Sequence, residues 1–511
     1  MSDYSLQHND PILLNDIEKD LFRLHGSKNI WIEHSLSYQE RLGWVETPTL
    51  IEESIKLCKN AFDRAVSHLN PSSVVFIGMG GSIQTGKVLN QISLKSKYQL
   101  IFLDSTNPRD VSSVREKIDI LKTLFVFMSK SGTTLETNKL MNFFTKELTQ
   151  KGKFDFGDRF IVLTDAKNSL EKFALKNNFF QIINTPKNIG GRFSSATAFG
   201  IFPATFMNEV LTSFKNNYLW DSNQVIKKCS LLTSILIDSY ENHNGILNLK
   251  IPEEISQMGI WLEQIIAEST GKDGKGITPI INNDIDIGCP KILINSKDQK
   301  KYTSTRADEL VISFDKNTIF EDMFIWQASI SILCKHMSIF PFDEPDVERS
   351  KLNTKNILKK YKDMRKVTIP YSRSDINNMI NENETNRVLY INLYINETKN
   401  INTSLNKLKE KLSSYHGIKI VAGFGPRYLH SVGQLQKGGP KDVWSIFFYD
   451  ENLINSYSEK NNYKDLSDTF KAQMLGDLDA LKDLEINTYL VNIDSNNKDP
   501  FKNVINKIKE E

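Results

Sequence analysis

The chain has 511 residues and a mass of 58.6 kDa, room for about three to four domains of roughly 150 residues each. Hydrophobic residues make up 40% and charged residues 25%, which excludes a disordered chain. Lys+Arg at 64 against Asp+Glu at 62 leaves a formal charge of +2, without the cation surplus that a broad nucleic-acid footprint requires.

No window of about 18 uncharged apolar residues occurs, so no membrane span is expected. The start, MSDYSLQHNDPILLNDIEKD, has acidic residues early and no basic-then-apolar secretory pattern. Cys58, Cys229, Cys289 and Cys334 are far apart and make no CxxC spacing. Reduced thiols in a cytoplasmic protein are expected, with no disulfide framework, no metal and no cofactor.

Residues 1–70 carry apolar positions every three or four residues, as in LNDIEKDLFRLH and TLIEESIKLCKNAFDRAVSHL, and predict helices. From 71 to 240 the pattern changes. SVVFIGMGGS, YQLIFLDSTNP, TLFVFMSKSGTT and FIVLTD are short apolar runs followed by loops and helical spacing, and a helical stretch covers about 200–240. Continuous apolar strands between helices predict a parallel sheet covered on both faces. Residues 241–360 form a second such region, with PKILINSK and ELVISFD as strands and 319–340 as a long helix. The polar, basic segment 355–375 marks the boundary of a C-terminal α/β domain, 361–511, with strands in RVLYINLYI, GIKIVAGFGP, VWSIFFYD and INTYLVNID. The fold class is therefore α/β. In an open parallel sheet ligands bind beyond the carboxyl ends of strands, so those loops are where chemistry is sought.

The first is Gly78-Met79-Gly80-Gly81-Ser82. Glycines admit an anion to backbone N–H groups at a helix start, and a tight strand-to-helix turn would use the same residues. GxGxxG fails at Ile83, and the P-loop pattern fails at Val88. The second loop offers four hydroxyls, Ser129, Ser131, Thr133 and Thr134, around Gly132. They could surround a phosphate without a metal. Thr133 with Glu136 also fits a capping box, which needs only one of them.

Ile189-Gly190-Gly191-Arg192-Phe193-Ser194-Ser195 can hold a fixed guanidinium close to backbone and ligand, or can be a surface turn. In QMGIWLEQIIAESTGKDGKG (257–276), Gln264 and Glu268 share one helix face, and Gly271 ends the helix as a C′ glycine. Glu268 in that last turn is disfavoured as an anion by the helix dipole, which suits a general base. Phe342-Asp343-Glu344-Pro345-Asp346-Val347-Glu348-Arg349-Ser350-Lys351 is, alone, a charged turn. Gly425-Pro426-Arg427-Tyr428-Leu429-His430 ends a strand and puts His430 at a carboxyl edge.

Taken together these motifs resemble the glucose-6-phosphate isomerase family: the serine-rich loop, GGRFS, ESTGK, FDEPDVERSK and LHSVGQ, with Gln434 four residues after His430. The histidine motif follows Lys351 instead of preceding it, an order similar to the isomerase half of transaldolase–isomerase fusion proteins. Glu344 stands where the family usually has glutamine. The resemblance implies two doubly wound sugar-isomerase-type domains and aldose–ketose exchange of glucose and fructose 6-phosphates through a cis-enediolate, in glycolysis and gluconeogenesis. It implies that Glu268 carries the proton, Arg192 faces the enediolate, and His430 with Lys351 opens the ring. Ser129, Ser131, Thr133 and Thr134 would hold the phosphate, with Gly80, Gly81, Ser82 and Gln264 on the sugar. A homodimer with shared sites, the histidine coming from the neighbouring subunit, is implied as well. Use of mannose 6-phosphate, or a non-catalytic sugar-phosphate sensor, are the alternatives; a sensor has no use for Glu268, Arg192, Lys351 and His430 together.

Overall fold

The computed structural model describes residues 3–6, 11–25, 41–93, 96–207, 223–283, 288–296, 302–304, 306–361, 363–370, 375–383 and 388–508. The N-terminal region is not wholly helical. Asp3–Leu6 is a strand, β1, ahead of two helices, α1 (Pro11–His25) and α2 (Thr47–Leu69). Four residues are too few to show a period of their own, and the strand that β1 pairs with begins only at Glu309.

Five parallel strands follow: β2 (Ser73–Gly78), β3 (Gln99–Leu103), β4 (Thr123–Met128), β5 (Phe160–Asp165) and β6 (Gln181–Thr185), in the order β3-β2-β4-β5-β6. β2 and β4 are buried at every position, which is why they read as unbroken apolar runs. Helix α3 (Gly81–Ile92) leaves β2 and α4 (Leu135–Gln150) leaves β4. The chain runs from β2 outward to β3 and returns to β4 on the other side, so a crevice opens between the loops after β2 and β4.

Helix α5 (Asn223–Asn242) precedes the second sheet and straddles the division expected at residue 240. Then come β7 (Ile246–Lys250), α6 (Ser256–Thr270), β8 (Thr278–Ile281), β9 (Lys291–Ser296), β10 (Glu309–Phe314) and α7 (Ile319–His336). The order is β1-β10-β9-β7-β8, parallel except for the antiparallel edge strand β1. The part of the expected 200–240 helix at 208–222 lies outside the described residues.

Helix α8 (Val347–Lys360) leads to a third, parallel sheet of β11 (Val388–Tyr394), β12 (Lys419–Phe424), β13 (Val443–Tyr449) and β14 (Thr488–Asn492), ordered β12-β11-β13-β14. Helices α9 (Gly433–Gly438) and α10 (Lys464–Asp483) belong to this unit. The class is α/β, two doubly wound sheets with a third α/β unit. Among the described residues no helix is long and apolar enough to cross a membrane. The four cysteines are buried, and burial pushes the Cys229 and Cys334 thiols up to about 12.

One core joins α1, α2, a face of the first sheet and the helices of the second. Trp44 is fully buried in it, its ring centroid 5.0 Å from Phe193, 5.7 Å from Phe324 and 6.4 Å from Phe342. Phe193 adjoins Arg192 and Phe342 lies two residues before Glu344, so this cluster sets the height of both loops. Trp44→Ala should cost roughly 3–5 kcal/mol, read as a lowered thermal midpoint; an unchanged midpoint would mean that the cluster relaxes freely into the gap.

Candidate active site

The loops after β2 and β4 are built by close approach. Gly80 has φ +52°, and a Cβ there would lie 2.7 Å from Gln264 Nε2 and 3.2 Å from the His430 carbonyl oxygen. A Cβ on Gly81 would lie 2.1 Å from the Gly191 carbonyl oxygen. Glycine is required at both positions because three loops meet there. In the hydroxyl loop, Ser129 and Thr134 hydroxyls hydrogen-bond at 2.8 Å, those of Ser131 and Thr133 at 3.0 Å, and Gly132 N–H donates to Ser129 Oγ. Thr134 is the N-cap of α4 without a side-chain cap bond, so the expected capping box is absent. Glu136 turns elsewhere.

Arg192 sits in a short 3₁₀ turn, Gly191–Phe193, and is buried. Its Nε donates to Ser269 Oγ at 3.2 Å, and its Nη2 donates to the carbonyls of Pro341 at 2.8 Å and Asp343 at 2.9 Å. Its Nη1 faces two carboxylates, Glu268 at 3.2 Å and Glu344 at 3.1 Å. Every nitrogen of the fork thus has an acceptor, as a buried guanidinium requires. Lys272, also buried, donates to the carbonyls of Ser269 and Phe340 and pairs with Asp343 at 3.1 Å, fixing the 340–344 loop from the other side.

Glu268 accepts from Gln264 Nε2 at 2.9 Å, so the i, i+4 pair does share a face. Burial pushes Glu268 above the usual carboxylate range, and the charge of Glu344 adds to this; Arg192 and the Gln264 hydrogen bond oppose it without cancelling it. The direction is the one expected from the sequence, with burial as its leading cause. Gly271 caps the helix at φ −77°, not left-handed; it must be glycine because a Cβ would fall 2.3 Å from Leu435 Cα.

His430 closes a 3₁₀ turn, Arg427–His430, and its Nε2 lies 3.1 Å from Glu136 Oε1. Burial alone would raise the Glu136 carboxyl, but the charge and hydrogen bond of His430 outweigh it and hold it below its ordinary value. An ionised carboxylate only accepts, so this contact is a hydrogen bond in the tautomer with Nε2–H. Gln434 accepts from Asp346 N–H at 2.9 Å and donates to the Gly271 carbonyl at 2.8 Å, tying the histidine segment to the 343–346 loop and the end of α6. His430 thus lies beside Glu136 of its own chain and lines the same cavity as the hydroxyl loop.

A cavity of about 220 Å³ lies between these loops. Its lining includes Ser131, Thr133 and Thr134 of the hydroxyl loop, Glu136 and His430, and Glu344, Lys351 and Lys355. Arg192 and Glu268 are not part of the lining; Glu344 reaches Arg192, and Arg192 reaches Glu268, so the buried pair is linked to the cavity through Glu344. Ser129 is buried beneath the loop as a brace, and Ser82 lies in the first turn of α3. Lys351 Nζ pairs with Glu348 at 2.6 Å. The sequence reading missed Glu136 as a contact of the histidine, Lys355 one turn beyond Lys351, and Gln473 of α10, which also lines the cavity. The spacing of Lys351 and Lys355 on one helix face could have revealed the second. Among the described residues no group of three or more His, Cys, Asp or Glu is placed to hold a metal ion.

The Phosphoglucose isomerase family profile matches residues 64–217. A glucose-6-phosphate isomerase of Methanocaldococcus jannaschii is 26% identical over 269 residues, 49% of this chain and 63% of that protein. One of Campylobacter jejuni is 26% identical over 271 residues, 50% of this chain and 62% of that protein. The match thus spans less than two thirds of these relatives' length. In structure, a glucose-6-phosphate isomerase of Chlamydia trachomatis aligns with a TM-score of 0.56 at 15% identity, over 75% of this chain and 92% of that one, which speaks to the fold. Over residues 64–217 this chain is similar to the phosphoglucose isomerase family, and its fold is similar to that of a solved glucose-6-phosphate isomerase.

Proposed function

We propose that the protein interconverts glucose 6-phosphate and fructose 6-phosphate by proton transfer through a cis-enediolate. The observation that carries this reading is Glu268, a buried carboxylate with raised proton affinity, held 3.2 Å from the guanidinium of Arg192, which Glu344 links to a hydroxyl-lined cavity. Aldose–ketose exchange moves one proton between neighbouring carbons and needs one base and one fixed cation. Glu268 takes the proton from C2 of the aldose and returns it to C1, and Arg192 faces the enediolate oxygen. His430 gives a proton to the ring oxygen during opening, assisted by Lys351. Ser131, Thr133 and Thr134 donate to the phosphate, with Ser129 holding the loop's shape. The site works inside one chain, in the cytoplasm, and no transfer of electrons is involved.

A coupled assay of fructose 6-phosphate conversion on purified protein tests the reading. Glu268→Gln should retain the fold and lose at least about 10²-fold in kcat. Activity near wild type in that variant would remove Glu268 from the mechanism.

The cis site has its own consequence. When inactive Glu268→Gln and inactive His430→Ala chains are mixed, with any subunit exchange verified by mass, no activity should return. Recovery would mean that two chains share each site.

The acid limb of the pH profile reports the base. Glu344 carries a negative charge next to Glu268 and shares its Arg192 nitrogen. In Glu344→Gln the repulsion is gone and Arg192 serves Glu268 alone, so Glu268 ionises at lower pH. The acid limb of kcat/KM should therefore move down in pH; no movement, or a rise, would contradict the shared-guanidinium geometry.

A further inference from the structure

Residues 450–511 match none of the motifs above, yet helix α10 reaches the cavity. Its Gln473 is buried and donates from Nε2 to Glu136 Oε1 at 2.7 Å, the same oxygen that lies 3.1 Å from His430 Nε2. The amide cannot turn over freely. Thr106 Oγ1, fully buried beyond the end of β3, donates to Gln473 Oε1 at 2.6 Å, which leaves only Nε2 facing the carboxylate.

One turn further along α10, the fully buried Asp477 accepts from the Tyr428 hydroxyl and from Ser350 Oγ at 2.9 Å, and forms an ion pair with Lys437 Nζ at 2.7 Å. Tyr428 belongs to the turn that carries His430, and Ser350 adjoins Lys351. Positions i and i+4 of one helix face therefore hold the histidine's turn, the helix of the lysine and the carboxylate that the imidazole meets.

We propose that Gln473 is a positioning residue for His430, acting through Glu136. A carboxylate this buried needs donors on its oxygens, and each one fixes the plane in which the carboxylate points. His430 supplies one and Gln473 the other. Without Gln473 the Glu136 side chain is free to rotate toward any remaining donor, and His430 Nε2 loses its fixed acceptor. The catalytic consequence rests on the ring-opening role proposed above, whereas the geometric one does not.

Gln473→Leu tests both. The protein is labelled with ¹⁵N in its eight histidines, and the His430 ring signals are assigned by their loss in His430→Gln. Wild type should show His430 protonated at Nε2, and Gln473→Leu should show a mixture of tautomers. Turnover of cyclic fructose 6-phosphate should fall at least about tenfold. Exchange of solvent deuterium into 5-deoxyfructose 6-phosphate, which cannot close a furanose ring, should stay within about twofold. Thr106→Val, nearly isosteric, should move both readouts in the same direction and guards against a Gln473 variant that fails to fold. Unchanged His430 tautomers in either folded variant would overturn the inference, and equal losses on the two substrates would overturn the ring-opening role on which its catalytic consequence rests. A wild-type protein inactive on fructose 6-phosphate would instead overturn the isomerase reading, and the tautomer measurement would still decide the positioning.

Discussion

A carboxylate and a guanidinium taken out of water together are the constraint on which this structure turns. Desolvating each ion costs several kcal/mol, and removing one partner of such a pair costs roughly 3–5 kcal/mol, because the other charge is stranded. Glu268 and Arg192 are therefore tolerated only if every remaining polar direction is filled. The neighbouring segments are shaped to fill them. The carbonyls of Pro341 and Asp343 turn inward to Nη2, Ser269 presents its hydroxyl to Nε, and Gln264 serves the second oxygen of Glu268. Gly81 then lets the β2 loop rest on Gly191, and Trp44 props the phenylalanines beside both loops. Stability and site geometry are here one problem.

The third sheet meets the same demand by a different route. Motif order along the chain matters little when the loops converge at one crevice, because hydrogen bonds depend on position in space. The histidine segment comes after Lys351 in sequence, yet Gln434 and Asp477 dock it against the 343–346 loop and α8 of the same chain. The buried Lys437–Asp477 pair at 2.7 Å makes this docking specific, since a displaced α9 would strand a charge in the interior.

How far the sequence could be read follows from the range of each interaction. The strands β2, β4, β5, β11 and β13 were legible because burial on both faces forces unbroken apolar runs, and the loops after them were legible because glycine, hydroxyl and charge cluster there. β1 and β7 were not. β1 is four residues long with a partner at Glu309–Phe314, and β7 includes Asn248 and Lys250, which break its apolar run. Glu136 also fits a local capping rule, but a partner 294 residues away takes its side chain. Gly271 carried the right residue for the wrong reason: a helix-end rule predicts left-handed backbone, whereas the actual demand is the close passage of Leu435. Local rules fail where a distant segment competes for the same atom.

Two carboxylates share one nitrogen of Arg192, and their environments drive their proton affinities apart. The Glu268 side chain is 8% exposed, and burial dominates, so its affinity rises. The Glu344 side chain is 39% exposed; there burial is outweighed by Arg192 and by Lys351, so its affinity falls. Unequal neighbours at one cation are how a single site obtains one group able to take a proton and another that stays charged. The glutamate in place of the family's usual glutamine thus adds a permanent negative charge on the cavity side of Arg192. That charge makes ionised Glu268 less comfortable, and hence more basic. It also occupies Nη1 of the guanidinium at 3.1 Å, and so competes with any anion that approaches Arg192 from the cavity.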